Sequence, residues 1–233
     1  MPTTKLDSYL KSYTKFNDWL IERRYKRLAD FFVGDKCLEL GCAEGTGTRF
    51  LLKHFKEVVT VDGSLKAIAE VKEKHPKDNL RAVYSYFEDM DFGTEKFDTI
   101  VMAHILEHVD DPVRVLRQAK KFAAPGASII IDVPNGNSLH RQVGVELGML
   151  KELTELNTAD LSIGHQRVYL PKTFKEDVRK AGLSTKQFGG MFVKVLSNAQ
   201  TESVFNPEQL EALFALGETN PDIAAEIYIV ATI

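Results

Sequence analysis

The sequence predicts an α/β fold, a doubly wound sheet with helices on both faces, and three observations carry that prediction. An apolar run ending at Leu40 leads into the glycine-rich turn Gly41-Cys42-Ala43-Glu44-Gly45-Thr46-Gly47. A helical pattern follows, and a second apolar run, Val58-Val59-Thr60-Val61, closes on the carboxylate of Asp62. Further apolar runs then alternate with helical stretches, the rhythm of βαβ units that feed a parallel sheet. A turn of this kind lets backbone approach a ligand closely, because glycine lacks a Cβ and tolerates positive φ. A carboxylate about twenty residues beyond it is placed to accept hydrogen bonds from ribose hydroxyls.

Each element follows in order within one predicted domain, 1–233. Residues 1–33 form a helical arm, with Tyr9, Tyr13, Phe16, Trp19, Leu20, Arg23, Leu28, Phe31 and Phe32 at helical spacing. Residues 34–134 form the cofactor-binding core: after the first two strands come a third over Leu80–Tyr84, a fourth strand with its exit within 97–112, His104 at the strand's end, and a fifth fed by the turn Ala124-Pro125-Gly126. Residues 135–170 are an insertion after that strand. It opens on the turn residues Asn135-Gly136-Asn137-Ser138 and continues with helical spacing over 139–156, interrupted by Gly144 and Gly148. Residues 171–233 supply the second half of the sheet: a helix over 171–181, a strand over 184–194, a helix over 207–216 and a closing strand over 227–233.

Bulk properties narrow the function classes. A chain of 233 residues suits one sizeable core, and its net charge of −3 argues against an electrostatic grip on nucleic acid. Lys72, Lys74 and Lys77 cluster, but Glu70, Glu73 and Asp78 interleave with them, as on a solvated helix face. No run is long enough to cross a membrane, and Met1-Pro2-Thr3-Thr4-Lys5 lacks an apolar signal core, so stable membrane insertion is not expected. The two cysteines, Cys37 and Cys42, read as packed thiols in a reducing cytoplasm. Oligomeric state is left open.

Glycine spacing separates the nucleotide cofactors. A dinucleotide fingerprint reads G-x-G-x-x-G, whereas Gly41, Gly45 and Gly47 give G-x-x-x-G-x-G, flanked by Glu39 and Glu44. Carboxylates at such a turn repel a diphosphate and favour a sulfonium and an ammonium. Here the chain resembles the class I S-adenosylmethionine-dependent methyltransferases, whose first motif reads roughly E-x-G-x-G-x-G, with Ala43 standing at the middle glycine. Phe87-Glu88-Asp89 resembles the family's adenine-contacting segment, and the string from Phe97 to Pro112, with Leu106-Glu107-His108-Val109-Asp110-Asp111-Pro112, resembles the ubiquinone-biosynthesis-like branch. The resemblance covers residues 34–134. It implies a Rossmann-like, doubly wound, seven-stranded sheet with an antiparallel edge strand, S-adenosylmethionine as cofactor and S-adenosylhomocysteine as product. It places Glu39, Gly41, Cys42, Ala43, Gly45, Asp62, Gly63, Phe87, Glu88, Ala103 and His104 at the cofactor. It also gives the N-terminal arm a lid role, with Tyr13 as a lid contact.

Methyl transfer from a sulfonium is an in-line displacement that needs a positioned nucleophile and exclusion of water. A hydroxyl acceptor also needs a base, and histidine suits that task near neutrality. His54 and His75 read as surface residues. His104-Ile105-Leu106-Glu107-His108 matches the H-x-x-E-H protease pattern, but it leaves a buried parallel strand, and no metal is expected. Related sequences in the branch carry a string similar to Gly164-His165-Gln166-Arg167-Val168-Tyr169, which places it at the acceptor side. His165 is the expected base or acceptor-positioning group, with Arg167, Tyr169 and Asn135 shaping the pocket.

The expected function is methyl transfer to a small polar acceptor such as a sugar, phosphate or carboxylate-bearing metabolite, with O-methylation favoured. The alternatives are a quinone-precursor O-methyltransferase with Leu147, Met149, Leu150 and Leu153 on a lipid-facing helix, a small-molecule N-methyltransferase, and a non-catalytic cofactor-binding regulator.

Overall fold

The computed structural model describes residues 15–76 and 79–233. Its seven strands are β1 (Lys36–Leu40), β2 (Glu57–Asp62), β3 (Leu80–Tyr84), β4 (Phe97–Ala103), β5 (Ala123–Pro134), β6 (Ser184–Met191) and β7 (Glu226–Thr232). They form one sheet in the order β3-β2-β1-β4-β5-β7-β6. The first five run parallel, and β7 lies antiparallel between β5 and β6, so the antiparallel pairing sits at that edge as expected. Strand order reverses between β1 and β4, which opens a crevice beyond their carboxyl ends.

Strand composition follows burial. Leu38, Leu40, Ile100, Met102, Ile129 and Ile131 are fully buried against α4 (Pro112–Lys121) and α7 (Pro171–Lys180) through Val115, Leu116, Phe174 and Val178. Ile130, Tyr228 and Val230 pack on the opposite face against α1 (Lys15–Leu28) and α9 (Pro207–Thr219). Covered on both faces, these strands read as continuous apolar runs rather than alternating ones. The helix starts carry their own signals. Asp111 accepts from the backbone N–H of Arg114 with Pro112 at the first helical position, and Asn206 caps α9 in the same way with Pro207 next.

Three expectations are corrected. Helix α5 spans Leu139–Glu146 and stops there, because Gly148 takes φ +67° and Leu150 turns back onto Gly144. Leu147 and Met149 therefore stand 68% and 75% exposed on a loop, while Leu150 is buried, so the four residues form no lipid-facing helix. Strand β6 ends at Met191 because Phe192 adopts φ +59°, and a helix unforeseen in the sequence, Asn198–Val204, follows. Among the described residues no helix is long and apolar enough to cross a membrane.

Candidate active site

The glycine turn leaves the carboxyl end of β1 and enters α2 (Thr46–Leu51) with Gly41, Ala43 and Gly45 at φ +82°, +42° and +84°. At its φ of +82° a side chain on Gly41 would be strained, and a Cβ there would stand 2.2 Å from Cδ1 of Ile105, which would have to move. Asp62 holds the turn from the end of β2. Its Oδ2 accepts from the backbone N–H of Cys42 and Ala43 at 3.1 and 3.3 Å, and its Oδ1 from that of Ser64 at 2.8 Å. Burial raises its pKa and these amides work against the rise. Gly63 is buried beside it, and Phe87 and Glu88 are half-buried on the loop after β3.

Glu39 differs from the expectation of a group lining the ligand. It is 1% exposed, accepting from Thr48 Oγ1 at 2.6 Å and from the Tyr25 hydroxyl at 3.2 Å. Burial pushes its pKa up to about 7, and its hydrogen-bonding role is to tie α1 and α2 to β1. Asp62, the left-handed turn and an aromatic Phe87 fit an adenosine ribose and its flat base. Tyr13 lies outside the described residues.

A second constellation occupies the carboxyl ends of β4, β5 and the start of β7. His104, at φ +56° where β4 ends, lies between Arg24 of α1 and the carboxylates of Glu107, Asp132 and Glu226. Arg24 donates to Glu226 from Nε at 3.0 Å and from Nη2 at 2.6 Å, and its Nε is 3.2 Å from Asp132. Nη2 also lies 2.9 Å from Nε2 of His104. An arginine only donates, so Nε2 accepts and the imidazole proton sits on Nδ1, 3.3 Å from Glu107. Burial, then Arg24, lowers the His104 pKa to about 4. Burial raises Glu107 to about 8 and Asp132 to about 7, whereas in Glu226 the attraction of Arg24 overcomes burial and holds the carboxyl well down.

His165 reaches this constellation from the insertion. Its ring meets that of His108 edge-on, centroids 4.8 Å apart, and its Nδ1 is 3.4 Å from Asp160. Burial, then His165, brings His108 down to about 3. The ligand atoms of Glu107, His108 and His165 all lie within 4.8 Å of one another, and those of His104, Asp132 and Glu226 do so too. The second group already surrounds the Arg24 guanidinium. The first does not, and neither oxygen of Glu107 has a hydrogen bond among the described residues.

The other expected acceptor residues are engaged elsewhere. Arg167 donates to the carbonyls of Leu106, Val109 and Asp110. The Tyr169 hydroxyl donates to Asp177 at 3.1 Å, and Asn135 Nδ2 donates to the carbonyls of Asp222 and Ala224 at 3.0 and 2.8 Å. These three side chains anchor the insertion and the β7 approach; only His165 of the expected four joins the cluster. Arg24, Asp132, Asp160 and Glu226 were not singled out from the sequence, and Glu107 stood out only as the acid of the H-x-x-E-H string. One signal was present: Asp132 interrupts the apolar run 129–133, where burial on both faces leaves a carboxylate in need of a partner.

The chain is similar to known methyltransferases over most of its length. A family model described as a methyltransferase domain matches residues 13–187. A probable S-adenosylmethionine-dependent methyltransferase of Mycobacterium tuberculosis is 22% identical over 208 residues, covering 89% of this chain and 71% of the relative. A ubiquinone biosynthesis O-methyltransferase of Coxiella burnetii is 29% identical over 119 residues, 48% of this chain and 50% of that protein. The crystal structure of an S-adenosylmethionine-dependent methyltransferase from Mesorhizobium loti shares the fold, with a TM-score of 0.64 at 15% identity over 90% of this chain and 95% of that one.

Proposed function

We propose that this chain, which belongs to the methyltransferase domain family and is an S-adenosylmethionine-dependent enzyme, delivers its methyl group to a hydroxyl of a small polar acceptor. The cofactor supplies an electrophilic methyl on a sulfonium; the residues of this chain do the rest. Asp62 and the turn hold the ribose side, and Phe87 meets the adenine. The crevice beyond β4 receives the acceptor between the 104–108 turn and the insertion that carries His165.

The observation that carries this reading is the convergence of His165, His108 and Glu107 just beyond the end of β4, their ligand atoms within 4.8 Å of one another, while Ile105 of the same turn packs on Gly41. An imidazole lone pair at that place can accept a proton, as a hydroxyl nucleophile requires and a deprotonated amine does not. His165 takes the proton, while Arg24 and its carboxylates fix His104 and the floor of the site. Sugars and carboxylate- or phosphate-bearing metabolites are the acceptor classes to try first.

The test is release of S-adenosylhomocysteine when the enzyme meets fractionated polar metabolites. Turnover confined to hydroxyl-bearing fractions supports the reading, and turnover confined to amine fractions overturns it.

A further inference from the structure

Residue Asp160 lies in the short helix α6 (Thr158–Ser162) of the insertion, and its surroundings leave one oxygen for the imidazole. Oδ2 accepts from the backbone N–H of Asn157 at 3.0 Å and from Arg141 Nη1 at 3.1 Å. Arg141, 5% exposed, is itself fixed by donating to the carbonyls of Leu153 and Glu155. Oδ1 faces Nδ1 of His165 at 3.4 Å, and the backbone N–H of His165 donates to the Asp160 carbonyl at 3.0 Å. The ring is thus gripped at both its backbone and its Nδ1 edge by one residue, while the opposite side packs on His108.

Chemistry then fixes the proton. An ionised carboxylate only accepts, so the nitrogen facing it has to donate. Asp160 is ionised at neutral pH: burial works to raise its carboxyl, but the bonds from His165, Asn157 and Arg141 hold it down to about 2. A neutral histidine has one N–H, and placing it on Nδ1 leaves the lone pair on Nε2.

We propose that Asp160 is a positioning residue that locks His165 in the Nδ1–H tautomer and presents the Nε2 lone pair to the acceptor site. The inference rests on the reading of His165 as the acceptor-side base, and it gives the insertion a role beyond covering the crevice. Asp160 touches no acceptor. It acts through the ring, as an orienting carboxylate does in a triad, where exchange for Asn costs about 10⁴ in kcat by allowing the wrong tautomer.

The imidazole nitrogens report this directly without knowledge of the acceptor. Full-length protein carrying ¹⁵N-histidine, saturated with S-adenosylhomocysteine at neutral pH, is compared with Asp160→Asn, the His165 resonances being assigned by their loss in His165→Gln. The expected result is a protonated Nδ1 and an unprotonated Nε2 in the native chain. In Asp160→Asn that preference is lost, with S-adenosylhomocysteine affinity within about twofold of native. A native His165 protonated on Nε2, or a spectrum unchanged by Asp160→Asn, overturns the proposal. The native spectrum alone decides the matter if Asp160→Asn does not fold. Retention of full methyl transfer by His165→Gln would instead defeat the base reading and leave the tautomer result standing.

Discussion

Asp62 serves the glycine turn and, on the proposed function, the ribose with one carboxylate. Three backbone N–H groups converge on it, so its geometry is set before any ligand arrives. Asp62→Ala is expected to weaken S-adenosylmethionine binding by about 1–3 kcal/mol, the loss typical of hydrogen bonds to a charged group. Calorimetry checks this, and native affinity in the variant would remove the ribose role. Glu107 gives the other residue-scale prediction. Its folded pKa, about 8, lies above the model-peptide carboxyl value near 4.3, so its stabilising share is complete below the lower value and is lost as pH rises through the upper one. Glu107→Gln should therefore narrow the fall in Tm between pH 5 and pH 8, and an unchanged difference in calorimetric scans would contradict the buried-carboxyl assignment.

At the scale of elements, α1 is bolted at several points: Asp18 accepts from Thr46, Tyr25 donates to Glu39, and Arg24 reaches Glu226 and Asp132. Arg24→Met leaves two buried carboxylates without their cation. A loss of about 3–5 kcal/mol in denaturant unfolding is expected, the range for removing one partner of a buried pair. A change under about 1 kcal/mol would mean that the cluster is solvated. The loop after α5 makes the opposite prediction. Leu147→Lys and Met149→Lys should each change stability by no more than about 0.5 kcal/mol, as surface substitutions do. These elements also show what the sequence reveals. Period and turn chemistry place α1, the glycine turn and Asp62, because those signals are local. The partnership of Arg24 with Asp132 and Glu226 is invisible, since it is created by β7 entering between β5 and β6. Arg167 and Tyr169 misled for a related reason: polar residues in a row look like a site until the carbonyls and carboxylate that absorb them are in view.

The whole molecule divides its labour across the sheet. On the proposed function the carboxyl ends of β1 and β2 would carry the methyl donor, and the cluster at the ends of β4 and β5 and the start of β7, joined by Arg24 of α1 and His165 of the insertion, would face the acceptor. One measurement reaches the central claim: transfer of an isotopically labelled methyl group from S-adenosylmethionine to a hydroxyl-bearing metabolite pool, by the native chain and by His165→Gln. The account predicts a methoxy product and a rate reduced about 10²- to 10⁴-fold in the variant, the span of general base catalysis. An N-methyl product, or an undiminished rate in His165→Gln, would contradict it.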